Sequence, residues 1–416
     1  MLSKLNLFYL LSHKKSRINL LLFLLFAFEV RVNSQIISYK EINPADAVAI
    51  KTGAEQTQKY LSILKDKNVA VVANQTSLIG KSHLVDTLLK LGVKIQKVFG
   101  PEHGFRGEAD AGELVKNGLD SKTGLPAVSL YGKNKMPTPE QLAGIEIVVF
   151  DIQDVGCRFY TFISTLTYVM EACAENGIKL IVLDRPNPNG HYIDGPIMED
   201  AYKSFVGLHP VPIVHGCSIG EYALMVKGEN WIKDAVKLQL SVIPVEGWNH
   251  NQNYNLPVRP SPNLPNMDAI WLYPSLCLFE GTNVSVGRGT DKPFQCVGYP
   301  DMPGGKYSFT PRSIAGAKKP PYLDTLCKGF LLSDFSENYL RDLGQIYLFW
   351  LMEGYRTSLK KDKFFIPYFE KLAGTDKLRK QIIADVSEDD IRKSWEPGIK
   401  QYKTIRKKYL LYKDFE

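Results

Sequence analysis

The chain has 416 residues, 44% of them hydrophobic and 23% charged, which are ordinary values for a globular protein and exclude general disorder. Its length is sufficient for two domains. The net charge of +7 falls to about +3 without residues 1–34, which hold five basic side chains and one acidic side chain, so the composition gives no argument for nucleic acid as a partner.

The first 34 residues have the pattern of a secretory signal peptide. Three basic side chains within residues 14–17 precede an apolar stretch over residues 18–30, and modest or small residues follow. An uncleaved anchor is the alternative, but a membrane span takes about 20 apolar residues, and Glu29 interrupts this stretch. We therefore predict an exported protein, periplasmic or secreted, without stable membrane insertion after cleavage of residues 1–34.

Short apolar runs rich in β-branched residues then alternate with segments of helical periodicity. The predicted strands are residues 68–74, 94–100, 127–131, 145–150 and 178–183, and the predicted helices are residues 82–91, 138–144 and 161–176. This alternation is typical of βαβ units with a parallel sheet covered on both faces. After a lead-in over residues 35–54, we predict a Rossmann-like, three-layer α/β domain over residues 55–235. A smaller mixed α/β domain over residues 236–416 is expected to complete a cleft.

Polar side chains follow four of the five predicted strands. They are Asn74 after the first strand, Glu102 and His103 after the second, Asp151, Gln153 and Asp154 after the fourth, and Asp184, Arg185 and Asn187 after the fifth. In open α/β sheets, ligands bind beyond the carboxyl ends of the strands. The sequence therefore predicts a polar active site at this edge of the sheet.

Glu102 is the leading catalytic candidate. Glycines at positions 100, 104 and 107 surround it and allow the backbone to approach a ligand, while His103 and Arg106 supply hydrogen-bond donors nearby. A partly buried glutamate in such a loop suits a general acid. The alternative is an ion pair between Glu102 and Arg106 that braces the loop.

Asp151 is the candidate for a second catalytic group. It shares one face of a strand-like stretch with Gln153, and it is predicted either to partner Glu102 in a two-carboxylate glycosidase site or to hold a substrate hydroxyl. Asp154 turns to the other face and is explained equally well by helix capping and an ion pair with Arg158. Tyr160 follows at the start of the long helix and is a further candidate binding residue.

A second polar cluster lies in residues 279–294, where glycine and serine separate Glu280, Asn283 and Arg288. This composition suits a binding loop contributed by the second domain. Arg288 is predicted either to bind a substrate carboxylate through paired hydrogen bonds or to anchor Glu280.

Residues 216–220 match the G-x-S-x-G pattern of a serine hydrolase nucleophile, with Ser218 at its centre. Ser218 and Glu221 also match a helix capping box. A hydrolase triad in this order needs a later histidine, and His250 leaves little sequence for the acid. We favour the helix cap.

The remaining motifs argue against bound cofactors. None of the six cysteines has a metal-ligand spacing, and the first βα turn lacks both the dinucleotide and the phosphate-loop fingerprints. We predict no metal, no cofactor and no dense disulfide framework.

Several long runs closely resemble one known family. They are residues 71–77, 100–107, 151–161, 184–188, 215–221 and 280–290. In this order they resemble the exo-β-N-acetylmuramidase (NamZ-type) family, formerly a domain of unknown function, over residues 50–416. The resemblance implies a Rossmann-like domain, a smaller C-terminal domain and a cofactor-free site between them.

The resemblance also implies removal of terminal N-acetylmuramic acid from the non-reducing ends of peptidoglycan fragments, with Glu102 at the position of the family's proposed acid. An arginine such as Arg288, Arg158 or Arg106 is then expected to bind the lactyl carboxylate of that sugar. Two other classes of function stay open from the residues themselves. They are a serine esterase or amidase that uses Ser218, and a non-catalytic periplasmic sugar-binding protein.

Overall fold

A computed structural model describes residues 49–106 and 118–416. The predicted signal peptide, most of the predicted lead-in, and Gly107 lie outside the described residues. Residues 49–416 group into one compact unit. Among the described residues, no helix combines the length and the apolar character that a membrane crossing requires.

A seven-stranded sheet occupies the centre of this unit. Its spatial order is β5 (Gly118–Leu119), β6 (Pro126–Ser129), β4 (Lys94–Gly100), β1 (Asn68–Ala73), β7 (Ile147–Asp151), β8 (Lys179–Leu183) and β9 (Leu240–Ile243). Every neighbouring pair is parallel except β5 and β6. A small hairpin, β2 (Leu78–Ile79) and β3 (Ser82–His83), follows β1. The predicted mainly parallel sheet is confirmed.

The central strand β1 shows why the strands have apolar residues at consecutive positions. Val71 pairs with Val98 on one side and with Val149 on the other. These three valines pack into the core on one face of the sheet, whereas Val72 and Phe150 pack into the core on the opposite face. Because successive side chains point to opposite faces, burial of both faces requires an unbroken apolar run.

Helices cover both faces of the sheet, as predicted for a three-layer domain. The helices of this region are α1 (Thr57–Leu64), α2 (Leu84–Lys90), α3 (Pro139–Leu142), α4 (Phe162–Asn176) and α5 (Ile219–Gly228). Residues of α1 and α2 belong to one core, and residues of α4 and α5 to the other. Thr138 caps α3 through a capping box with Gln141, and Gly177 ends α4 at φ 65°.

The C-terminal part contains a three-stranded antiparallel sheet and several helices. The strands, in spatial order, are β10 (Cys296–Tyr299), β12 (Cys327–Leu331) and β11 (Tyr307–Phe309). The helices are α6 (Met267–Leu276), α7 (Ser333–Phe335), α8 (Arg341–Leu343), α9 (Phe349–Thr357), α10 (Tyr368–Ala373), α11 (Lys377–Ile383) and α12 (Glu388–Arg406), with a π-helix over Ser336–Leu340. Short 3-10 helices are Asp200–Tyr202, Ala235–Lys237, Cys277–Gly281, Lys361–Lys363 and Lys407–Tyr409. The smaller mixed α/β region agrees with the predicted fold class.

The predicted domain boundary at residue 235 stays a prediction. Strand β9 begins five residues after it and belongs to the central sheet, where it pairs with β8. The sheet therefore continues past that residue.

Candidate active site

A cavity of about 550 Å3 opens beyond the carboxyl ends of β4, β6 and β7. Residues that follow these strands form one wall, and residues of α6, α10 and the 280–294 segment form the other. Five predicted site residues line the cavity: Glu102, His103, Tyr160, Glu280 and Arg288. The structure thus joins the two polar clusters that are far apart in sequence.

The loop after β4 places Glu102 in this cavity. A Cβ atom at Gly100 would lie 2.5 Å from the backbone nitrogen of Phe105, so a side chain there would collide with the loop. His103 and Gly104 both have positive φ, 70° and 79°, which turns the chain sharply. Glycine at positions 100 and 104 allows a tight loop, and the half-buried carboxylate of Glu102 faces the cavity.

Two hydroxyl groups contact the Glu102 carboxylate. The Oγ1 atom of Thr161 donates a hydrogen bond to Oε2 of Glu102 over 2.9 Å. The pKa of Tyr131 is raised by burial, and further by the charge of Glu102 and the hydrogen bond that the tyrosine donates to it. The Glu102 carboxylate is therefore held in a fixed position by one donor that follows β6 and one donor at the start of α4.

His103 and Tyr160 extend the same wall. The Nε2 atom of buried His103 lies 3.3 Å from Oγ of Ser261. The hydroxyl of Tyr160 donates to the carbonyl oxygen of Pro260 over 2.9 Å, and its ring packs edge-on against Tyr273. This wall therefore places the aromatic rings of Tyr160 and Tyr273 beside the polar side chain of His103.

On the opposite wall, Glu280 and Arg288 form a bidentate ion pair. The Nε–Oε1 and Nη2–Oε2 distances are 2.5 and 3.1 Å. The guanidinium group also lies 4.9 Å from the centre of the Phe294 ring. Of the two roles predicted for Arg288, the structure shows the anchoring of Glu280. Glu102 and Glu280 are the carboxylates among the described residues that line the cavity.

Asp151 is not among the described residues that line the cavity, and its assignment as the second catalytic group stays a prediction. Its side chain is fully buried and accepts two hydrogen bonds from Arg185, over 2.6 and 2.9 Å. Both side chains are thereby committed to each other. Their contacts in this structure are therefore with each other rather than with the cavity.

The residues after Asp151 also have internal partners. Gln153 donates to the carbonyl oxygens of Asp154 and Pro186. Asp154 accepts from the backbone of Gly156 and lies 3.5 Å from Nε2 of His215. The expected pair between Asp154 and Arg158 is replaced by these contacts.

Arg158 is fully buried, and its guanidinium donates to four backbone carbonyl oxygens, those of Pro196, Val211, Leu372 and Ala373. It thus connects α10 to the segment before α5. Arg158 is not among the described residues that line the cavity, and its predicted substrate contact stays a prediction.

Four further predicted binding residues are likewise held elsewhere. Asn74 accepts hydrogen bonds from Thr76, Asn187 donates to the carbonyl oxygen of Cys217, and Asp184 accepts from Ser218 and Gly220. Asn283 accepts from the hydroxyl of Tyr322 through its backbone carbonyl oxygen, not through its side chain. None of these four is among the described residues that line the cavity. Polar residues after a strand here mostly hold the loops in place.

Arg106 pairs with Asp120 and Asp86 rather than with Glu102. It donates to both oxygens of Asp120, over 3.0 and 2.8 Å, and to Asp86 over 3.3 Å. The predicted loop-bracing pair with Glu102 is therefore replaced by a different one. Arg106 is not among the described residues that line the cavity.

Ser218 is a helix cap. Its hydroxyl accepts from the backbone of Glu221, completing a capping box at the start of α5, and donates to Asp184 over 2.7 Å. His250 contacts Glu221 and Gly190 instead of Ser218. Because Ser218 is fully buried and lacks a histidine partner in the described contacts, the nucleophile interpretation is wrong.

Sequence reasoning missed several residues that line the cavity: Tyr131, Lys135, Thr161, Phe205, Ser261, Tyr368 and Lys371. Tyr131 follows a strand and Thr161 lies within a recognised motif, so both had a usable signal. The others reach the cavity from distant segments without a local pattern. Within the described residues, no cluster of three or more His, Cys, Asp or Glu side chains is placed to hold a metal ion.

Comparison with known proteins agrees with this architecture. The family described as "Exo-beta-N-acetylmuramidase NamZ, N-terminal" matches residues 69–268, and its C-terminal counterpart matches residues 271–412. The chain is 39% identical over 383 residues to the peptidoglycan beta-N-acetylmuramidase NamZ of Bacillus subtilis, covering 85% of this chain and 89% of that protein.

Two solved structures of DUF1343 family proteins from Bacteroides fragilis have the same fold. One is 48% identical, with a TM-score of 0.82, over 88% of this chain and all of the other. The second is 30% identical, with a TM-score of 0.74, over 88% of this chain and 99% of the other. The family matches and the curated relative together show that the chain belongs to the exo-β-N-acetylmuramidase NamZ family of glycoside hydrolases.

Proposed function

We propose that this protein releases terminal N-acetylmuramic acid from the non-reducing ends of peptidoglycan fragments, with Glu102 as the general acid. The observation that carries the proposal is the position of Glu102. It is half-buried at the end of a central strand, faces the cavity, and is held by Thr161. The relative from Bacillus subtilis, a peptidoglycan beta-N-acetylmuramidase, supports the substrate class.

In the proposed reaction, protonated Glu102 donates its proton to the glycosidic oxygen as the bond to the anomeric carbon breaks, so that the rest of the fragment leaves as an alcohol. Water forms the new bond to the anomeric carbon, and the proton that the water loses restores protonated Glu102. Positive charge develops on the sugar ring in this transition state. Glycosidases protonate the glycosidic oxygen with a carboxyl group in a partly desolvated position. Thr161 and Tyr131 keep the reacting oxygen of Glu102 oriented toward the cavity.

Glu280 is suited to a supporting role. Arg288 binds both of its oxygens, yet each oxygen retains a lone pair for a substrate hydroxyl. The ion pair with Arg288 holds the Glu280 carboxylate in place, so we assign Glu280 to orienting the sugar rather than to proton transfer.

The dimensions of the cavity suit a short saccharide. Its volume of about 550 Å3 is within the range of about 300–1,000 Å3 that is usual for small-molecule sites. Phe205, Tyr160 and Tyr273 offer aromatic surface for the apolar face of a sugar. We also propose that the protein is exported, because residues 1–34 have the signal-peptide pattern.

The direct test is incubation with a disaccharide of N-acetylmuramic acid and N-acetylglucosamine, with the released sugars identified and the first-formed anomer followed. Glu102→Gln is expected to fold normally and to lose at least about a hundredfold in turnover. Glu140→Gln, at an exposed glutamate on α3, is the matched control and is expected to retain activity. Near wild-type turnover by Glu102→Gln would remove Glu102 from this role.

The same experiment separates the other class of function left by the sequence. A non-catalytic sugar-binding protein would bind the disaccharide tightly and release no monosaccharide. That outcome would contradict the proposed hydrolysis while leaving the cavity as the binding site.

A further inference from the structure

The cavity has to accommodate a carboxylate if the proposed function holds, because N-acetylmuramic acid carries a lactyl group. Each of the three arginines expected to bind it is already occupied. Arg106 pairs with Asp86 and Asp120, Arg158 with backbone carbonyls, and Arg288 with Glu280. The carboxylate therefore needs a different cation.

Two lysines line the cavity, Lys135 and Lys371. Within the described residues, neither forms an ion pair or a hydrogen bond through its ammonium group. Both are partly exposed. They differ in this from the three arginines, whose guanidinium groups have polar partners among the described residues.

The surroundings of the two lysines differ. The Nζ atom of Lys135 lies 4.6 Å from the centre of the Phe205 ring, a cation–π distance. Phe205 in turn stacks on Tyr168 at 6.2 Å between ring centres and lies 6.0 Å from Tyr131. The ammonium of Lys135 is thus positioned by a packed aromatic group, whereas Lys371 has no such contact with the part of the chain that the structure describes.

Tyr131 connects this group to the reacting centre, since its hydroxyl also bonds Glu102. The lactyl group and the anomeric carbon belong to the same sugar ring. Tyr131, Phe205 and Lys135 line the same cavity as Glu102, so the ammonium group of Lys135 borders the space open to the substituents of a ring bound at Glu102.

We propose that Lys135 binds the lactyl carboxylate and so selects N-acetylmuramic acid over neutral amino sugars. This inference rests on the proposed function and names the residue that determines specificity. An ammonium held over an aromatic ring offers a pre-positioned point charge to a single carboxylate. Phe205 acts through Lys135, as a positioning residue.

The test compares two chromogenic substrates, a β-glycoside of N-acetylmuramic acid and the same glycoside with its lactyl group as a neutral methyl amide. The measured quantity is the ratio of kcat/KM for the acid to that for the amide. Lys135→Gln is expected to lower this ratio about 10- to 100-fold, the effect of losing a charge-assisted hydrogen bond, while kcat/KM for the amide changes little. Lys135→Arg should restore part of the preference.

Lys133→Gln is the matched control, because Lys133 is exposed in the same loop and is not among the described lining residues. It should keep the wild-type ratio. The inference is overturned if Lys135→Gln keeps that ratio, if it lowers kcat/KM equally for both substrates, or if Lys371→Gln alone removes the preference.

Failure of the proposed function gives a different result. In that case the wild-type enzyme hydrolyses neither glycoside, and calorimetric binding of free N-acetylmuramic acid and its methyl amide decides the inference separately. Tighter binding of the acid that is lost in Lys135→Gln supports it. Equal binding of both sugars by the wild-type protein overturns it.

Discussion

Thr161 Oγ1 lies 2.9 Å from Oε2 of Glu102 and joins the loop after β4 to the start of α4. Thr161 occupies the N-cap position of that helix but makes no capping hydrogen bond there. Its hydroxyl is therefore directed to the carboxylate instead of to the helix backbone.

Thr161→Val should lower kcat by about tenfold with little change in KM. Valine keeps the shape of the side chain but removes the hydrogen bond to a carboxylate, and such a bond contributes about 1.5–3 kcal/mol. Steady-state kinetics on the muramic acid glycoside measures the effect, with Thr161→Ser expected to keep most of the activity. Unchanged kcat in Thr161→Val would show that the contact does not position Glu102 during turnover.

Asp151→Asn should destabilise the protein without removing its activity. The substitution leaves the buried guanidinium of Arg185 without its counter-charge, which costs about 3–5 kcal/mol. Denaturant unfolding measures the loss, and activity is compared at a temperature where the variant stays folded. A variant that is stable but inactive would restore Asp151 as a catalytic candidate.

Ser218→Ala should lower the free energy of unfolding of the protein without removing its activity. The cap contributes about 1 kcal/mol, and the variant also removes a hydroxyl donor from Asp184. Glycoside turnover is expected to stay within a few-fold of wild type. Complete loss of turnover in a folded variant would instead indicate a nucleophilic serine.

The stability of the folded protein should depend on pH through Asp184. Burial raises the pKa of Asp184 to about 6, although hydrogen bonds from Tyr412 and Ser218 lower it. In the unfolded chain this aspartate ionises near its ordinary value of about 3.9. Between these two values the folded state holds a proton that the unfolded state has released.

The contribution of protonated Asp184 to the free energy of unfolding is therefore fully present below about pH 4. It is lost as the pH rises to about 6, by up to about 3 kcal/mol. Asp184→Asn should remove this dependence. Free energies of unfolding from pH 4 to pH 7 for both proteins measure the difference. Parallel curves would show that Asp184 is not the titrating group.

Much of the fold follows from local patterns in the sequence. Strands β1 and β4 were expected within one residue of their observed ends, and Gly177 marked the end of α4. A strand that is buried on both faces has a continuous apolar run in its sequence. A helix that ends at a glycine with positive φ has a recognisable last residue. These signals are contained in a few neighbouring residues and so can be predicted.

The site was predicted less completely, because the partners of a polar group are distant in sequence. Asp184 and Glu102 both follow central strands. Asp184, however, is covered by Tyr412, a residue 228 positions later, whereas Glu102 is left facing a cavity. No local pattern distinguishes these two outcomes. The position of Lys371 in the cavity depends in the same way on the packing of α10.

All six cysteines are buried and unpaired. Reaching this fold therefore requires no oxidative step, and the protein should be produced in active form in a reducing host cytoplasm. Cys277 lines the cavity, but the other five thiols also provide an intrinsic reporter, since a thiol-reactive dye will label them only as the chain opens. The rate of labelling would then give the opening rate of the region around the central sheet and of the C-terminal part, both of which carry such thiols, without any engineered probe.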